Sequence, residues 1–111
     1  MPRDYRHGQP AWASAPAPAM TTAEVAALAR VLARLCVEGE GDWRGRRDDL
    51  LGELRARLPQ GHPARTGDEN TATQAARAAG DRLAETYGCR VLSSSHHRRV
   101  RIRLIPTDPT A

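Results

Sequence analysis

From Arg99 to Leu104 the chain alternates strictly between polar and apolar side chains. Successive side chains on a strand point to opposite faces, so Val100, Ile102 and Leu104 share one face and Arg99, Arg101 and Arg103 the other. The apolar face can pack on a core, and the other is a row of guanidinium groups. Cys89–Ser93, just upstream, reads as its partner strand. A loop at Ser94–His97 sets Val91 opposite Val100 and Cys89 opposite Ile102. A slip of one residue would turn one strand over and break that apolar match. The pattern predicts a β-hairpin over residues 89–105, stopped by Pro106.

Upstream the period of the apolar residues is helical. Val25, Leu28, Leu32, Leu35 and Cys36 form one stripe. Thr21 and Glu24 fit a capping box at its start, and Gly39 and Gly41 end it. A second helix is expected from Asp42 as its cap, burying Trp43, Leu50, Leu51, Leu54 and Leu58, with Pro59 as its stop. Arg44 with Asp48 and Glu53 with Arg57 are at the four-residue spacing of surface ion pairs. Pro59–Gly67 is a loop, and His62 within it is expected to be exposed. The third helix covers residues 70–87 and begins at one of two capping signals, Thr66–Glu69 or Thr71–Gln74. Ala72, Ala75, Ala76, Ala79, Leu83 and Tyr87 make its narrow inner face, and Asn70, Thr73, Gln74, Arg77, Asp81 and Arg82 its outer one. The expected fold is α+β and mainly helical, with three helices followed by the C-terminal hairpin. Residues 21–105 form the domain. Residues 1–20, rich in Pro and Ala and carrying Trp12, read as a disordered tail, and 106–111 as a short C-terminal one.

Charge changes this picture. The chain of 111 residues has a formal net charge of +4. Residues 23–60 carry seven Arg and seven acids, and residues 61–87 three Arg and four acids. Residues 88–105 carry five Arg and no acid, so the hairpin holds the excess. A patch of one sign on a neutral body favours an anionic partner, most often nucleic acid. All seventeen basic residues are Arg, which together with abundant Ala reads as the codon usage of a GC-rich genome. The choice of Arg over Lys therefore carries no message of its own.

Other chemistries find little support. Cys36 and Cys89 are too few for a disulfide framework and read as buried, reduced core residues. They could meet His96 and His97 at a metal, but no close Cys pair exists and adjacent His side chains on a strand diverge. No metal and no cofactor is expected. The chain has no glycine-rich phosphate loop and no nucleophile motif, so it does not read as an enzyme. It contains no stretch long and apolar enough to span a membrane and no secretory signal, so a cytoplasmic location without membrane contact is expected.

The order helix, helix, helix, hairpin resembles winged helix-turn-helix domains. The resemblance covers residues 21–105. It rests on that order and on two local runs, Asn70-Thr71-Ala72-Thr73-Gln74-Ala75-Ala76-Arg77 and Leu83-Ala84-Glu85-Thr86-Tyr87-Gly88-Cys89-Arg90-Val91. These look like a recognition helix, its closing glycine and the first wing strand. The nine residues 59–67 depart from the tight turn that many such domains place before that helix.

The resemblance implies a small bacterial DNA-binding protein, a transcription regulator or a DNA-architectural protein. Helix 70–87 would enter the major groove with Asn70, Thr71, Thr73, Gln74 and Arg77 as base-reading side chains. Its N-terminal amides would also be open to a phosphate. Hairpin 89–105 would lie on the phosphate backbone, with His97, Arg98 and Arg99 near its tip beside His96, and Arg101 and Arg103 behind. The partner would be double-stranded DNA, and a homodimer would form through the first helix or the tail. The alternative is a winged-helix interaction module, an adaptor or dimerisation domain that meets a protein partner without sequence-specific DNA binding. RNA is disfavoured, because the ribbon lacks exposed aromatic residues on which bases could stack.

Overall fold

The computed structural model describes residues 17–94 and 97–106. The expectations for residues 1–16, for His96 and for residues 107–111 lie outside the described residues. The fold is α+β and mainly helical, as its periodicities predict, but the described residues hold one helix and one strand more than expected. In chain order the elements are α1 (Thr22–Glu38), β1 (Asp42–Arg46), α2 (Arg47–Arg57), a short 3-10 turn (Pro63–Arg65), α3 (Glu69–Ala78), α4 (Gly80–Tyr87), β2 (Cys89–Ser94) and β3 (Arg99–Leu104).

Helix α1 follows its sequence signals. Thr21 Oγ1 accepts the Glu24 N–H at 3.1 Å and Glu24 Oε1 accepts the Thr21 N–H at 2.8 Å, so both halves of the capping box are present. Leu28, Leu32, Leu35 and Cys36 are fully buried. After Glu38 the chain reverses through Glu40 and Gly41, both left-handed at φ 58° and 93°. That conformation suits glycine, and the chain leaves the turn extended.

The segment expected to open the second helix is instead a strand. Asp42–Arg46 pairs antiparallel with β3, so the hairpin becomes a three-stranded sheet of order β1-β3-β2. Helix α2 starts four residues later than expected, at Arg47, where Asp49 accepts the Arg46 N–H at 2.9 Å. Trp43 packs against the core from β1, and its ring lies over Gly45. A Cβ at position 45 would come within 2.5 Å of that ring, so any larger residue there must displace it.

The third helix is also corrected. It breaks at Ala79, before Gly80, a weak helix former, and becomes α3 and α4. Neither Thr66 nor Thr71 caps it: the N-cap lies between them at Asp68, which accepts the Thr71 N–H at 2.9 Å. Helix α3 packs chiefly on α2, and α4 packs on α1 and β2. The small inner residues Ala72, Ala75, Ala76 and Ala79 are all fully buried, which lets these helices approach closely.

The hairpin register differs from the expected one by two residues. Val91 faces Ile102, Ser93 faces Val100 and Cys89 faces Leu104. A two-residue shift leaves every side chain on its own face, so the apolar match survives. The physical reason is that β3 is pinned from both sides. It pairs with β1 along its length, and beyond its ends Arg98 O accepts the Arg47 N–H at 3.0 Å and Gly88 O accepts the Ile105 N–H at 2.8 Å.

His62 is buried rather than exposed. Its Nδ1 accepts the Ala64 N–H at 3.1 Å. The neutral ring then carries its proton on Nε2, which donates to the Glu24 carbonyl at 2.9 Å. The loop before α3 is thereby tied to the first turn of α1. No helix among the described residues is long and apolar enough to cross a membrane.

Candidate nucleic-acid interface

The three strands place nine side chains in register on the sheet face that does not pack on the core. Asp42, Arg103 and Arg90 form one row, Arg44, Arg101 and Leu92 the next, and Arg46, Arg99 and Ser94 the third. The opposite face carries Trp43, Ile102 and Val91, then Gly45, Val100 and Ser93, turned to the core. Six guanidinium groups and one carboxylate thus share the outer face, a net of +5. Arg44 and Arg46 keep 67% and 64% of their side-chain surface exposed, so these charges are open to a partner.

Asp42 organises this face. Its Oδ1 and Oδ2 accept Arg101 Nε and Nη2 at 3.2 and 2.6 Å, and Oδ2 also accepts Arg44 Nε and Nη2 at 3.1 and 3.0 Å. The Arg101 hydrogen bonds, helped by those from Arg44, lower the Asp42 carboxyl from its usual 3.8 to about 2. One acid therefore fixes two guanidinium groups, while Arg90, Arg99 and Arg103 have no ion pair among the described residues.

Of the hairpin residues singled out in the sequence, Arg99, Arg101 and Arg103 lie together on this face. Arg98 does not join them. Its guanidinium pairs with Glu69 at the start of α3. The His97 N–H donates to Ser94 Oγ at 3.4 Å, at the end of the ribbon.

The expected base-reading row on the third helix is largely turned inward. Thr73 is fully buried and donates to the Glu69 carbonyl at 2.9 Å, and Gln74 is buried too. The expectation of an outer face carrying both is corrected: both side chains are buried, and α3 packs chiefly on α2. Asn70 and Thr71 are half-buried. Asn70 accepts Arg47 Nη1 at 3.0 Å, and Thr71 Oγ1 donates to Asp68 at 3.1 Å. Arg77 alone of the five is exposed. The α3 N-terminus is not open to a phosphate, because Asp68 sits on it. The Thr71 amide, first among several hydrogen bonds, lowers the pKa of Asp68.

Sequence reading missed Arg44 and Arg46 as members of the basic face, and counted Arg90 in the hairpin's charge without naming it as a contact residue. The available signal was the alternation Asp42, Arg44, Arg46 against Trp43, Gly45, which is strand-like but only five residues long. Among the described residues no three His, Cys, Asp or Glu side chains converge as a metal site. No protein-family model, no curated protein and no solved structure matches this chain.

Proposed function

We propose that this protein binds nucleic acid, foremost double-stranded DNA, as a small regulator or architectural protein of the winged-helix kind. The observation that carries this reading is the grid of six arginines on one open sheet face. Guanidinium groups on adjacent strands suit the closely spaced phosphates of a duplex, and each contact releases counterions. None of the nine grid residues is aromatic, which favours a duplex backbone over stacked single-stranded bases. The antiparallel hairpin directly after α4 supports the winged-helix resemblance. In this reading the sheet face supplies affinity. Base selection falls to Arg77 and the partly exposed Asn70 and Thr71, so sequence preference is modest.

The test is fluorescence anisotropy with a short duplex at several salt concentrations. Changing Arg44, Arg99 and Arg103 together to Ala should weaken binding and reduce the salt slope by about 0.9 for each phosphate left without its arginine. Changing Arg30, Arg34 and Arg82 together to Ala, on α1 and α4 and outside the grid, serves as a charge-matched control. Unchanged affinity and slope in the sheet variant would overturn the reading.

A second reading, an interaction module or homodimer, is favoured by a separate observation. Val37, Tyr87, Leu104 and Ile105 are exposed and gathered at one end of the molecule. Leu104 N–H donates to Gly41 O at 3.1 Å and Ile105 N–H to Gly88 O at 2.8 Å, while Val37 and Tyr87 line one groove of about 700 Å³. Light scattering across a concentration series tests it. A mass that stays monomeric would remove self-association through this end.

A further inference from the structure

The basic face is not uniform. A hollow of about 340 Å³ opens within it, walled by Arg44 of β1, Leu92 and Ser94 of β2, and Arg99 and Arg101 of β3, with the Gly45 backbone as part of its floor. It lies between the row Arg44–Arg101–Leu92 and the row Arg46–Arg99–Ser94. Its volume is at the lower end of small-ligand sites, larger than one phosphate requires.

Three features set its chemistry. First, three guanidinium groups surround it, and two of them are held in place before any ligand arrives. Arg44 and Arg101 each give Nε and Nη2 to Asp42, which leaves their Nη1 donors outside those bonds. Preorganised donors lose little freedom when they meet an anion. Second, Ser94 is fixed from behind. Its carbonyl accepts buried Arg47 at 3.2 Å and its hydroxyl oxygen accepts the His97 N–H, so the hydroxyl proton remains available to donate. Third, Leu92 is the one apolar side chain in the grid of nine, half-buried beside Arg101. A purely solvated charged face has no use for it, whereas a ligand with an apolar part next to its anion does.

We infer that this hollow is a nucleotide subsite. It takes one phosphate ester among Arg44, Arg99, Arg101 and the Ser94 hydroxyl, with the adjoining sugar and base edge against Leu92. As the place where a strand is gripped, the subsite rests on the nucleic-acid reading. As a site for the nucleotide unit, it stands independently.

The test is NMR titration of the isotopically labelled full chain with thymidine 5′-monophosphate, with a thymidine dinucleotide and with inorganic phosphate. The nucleotide should saturate, moving the Gly45 and Ser94 amides and the Leu92 methyls, and should bind about fivefold tighter than phosphate through its added apolar contact. In Leu92→Ser the two should bind alike. A dinucleotide that binds tighter than the mononucleotide assigns the subsite to a strand, and equal affinities assign it to the free nucleotide. Equal affinity of phosphate and nucleotide for the wild-type chain would overturn the subsite, as would shifts scattered over all arginines without saturation. Duplex binding without nucleotide saturation removes the subsite alone. Saturation without duplex binding removes the nucleic-acid reading and leaves the subsite.

Discussion

Arg47 Nη1 donates to Asn70 Oδ1 at 3.0 Å, joining the first residue of α2 to the start of α3. The same guanidinium reaches the Ser94 carbonyl at the end of β2, and the Arg47 backbone N–H reaches Arg98 O. A residue only 2% exposed thus ties the ribbon to α3. Burial, with the nearby Arg98 charge second, lowers its pKa, yet a guanidinium remains charged in proteins. Removing it leaves Asn70 and the Ser94 carbonyl short of a donor. Arg47→Ala should cost about 2 kcal/mol by urea unfolding. Arg47→Met keeps much of the volume and avoids burying a charge, so its cost should be smaller. Equal costs would show that the lost polar network and not packing sets the value.

Asp42 gives the molecule a defined acid response. Its folded pKa of about 2 lies below the usual 3.8, chiefly through the Arg101 hydrogen bonds. A carboxyl depressed in the folded state binds fewer protons there than in the unfolded chain, so its contribution is full above its unfolded pKa. It is lost as pH falls from about 4 toward 2. Thermal midpoints of the wild type and Asp42→Asn should therefore differ at pH 5 and converge toward pH 2. A gap that stays constant across this range would assign the effect to something other than the carboxylate charge.

The legible part of the fold is what local patterns carry. Thr21 and Glu24 mark the start of α1 because a capping box is contained within four residues. Arg99–Leu104 declares its two faces because alternation needs no partner to be seen. Strand β1 was illegible for the opposite reason. Trp43, Leu50, Leu54 and Leu58 satisfy a helical period, and what makes Asp42–Arg46 a strand is the backbone edge of β3, far along the chain. Thr73 and Gln74 were misplaced because an amphipathic pattern rich in Ala has no bulky residue to mark its inner side. The basic face was half visible: the β3 arginines could be read directly, whereas Arg44 and Arg46 joined them only through sheet pairing.

Gly45 should be intolerant of side chains. Trp43 Cη2 lies 2.5 Å from where its Cβ would stand, so Gly45→Ala forces the ring from its place on the core. The expected cost is about 1–3 kcal/mol. Near-ultraviolet circular dichroism in a Trp12→Phe background, where Trp43 is the remaining indole, should show the ring in a changed environment. An unaltered spectrum with unaltered stability would mean the strand absorbs the methyl without moving the ring.

His62 should matter to stability although its loop composition suggests an idle residue. Its ring closes one hydrogen bond to the Ala64 amide and one to the Glu24 carbonyl in a buried position. His62→Ala leaves both backbone groups without this partner, at an expected cost of about 1–3 kcal/mol in chemical denaturation. The loss should be felt at both ends of the contact, so amide exchange should accelerate in the first turn of α1 as well as at Ala64. Faster exchange confined to the loop would show that the Glu24 contact contributes little.

Arg77 and Thr73 separate base reading from simple helix integrity. Thr73 is fully buried with its hydroxyl on the Glu69 carbonyl, and Arg77, one turn further along α3, is exposed. If α3 contributes to sequence preference, Arg77→Ala should flatten the ranking of duplexes in a competition assay, because an arginine contact to a base edge is worth about 1–3 kcal/mol of discrimination. Thr73→Val replaces the hydroxyl by a methyl of similar shape. It should lower stability by about 1 kcal/mol while leaving that ranking intact. A ranking changed by Thr73→Val would mean that α3 opens on DNA and exposes its buried side. A ranking indifferent to both substitutions would assign all recognition to the arginine face, and the protein would then bind DNA through its backbone alone.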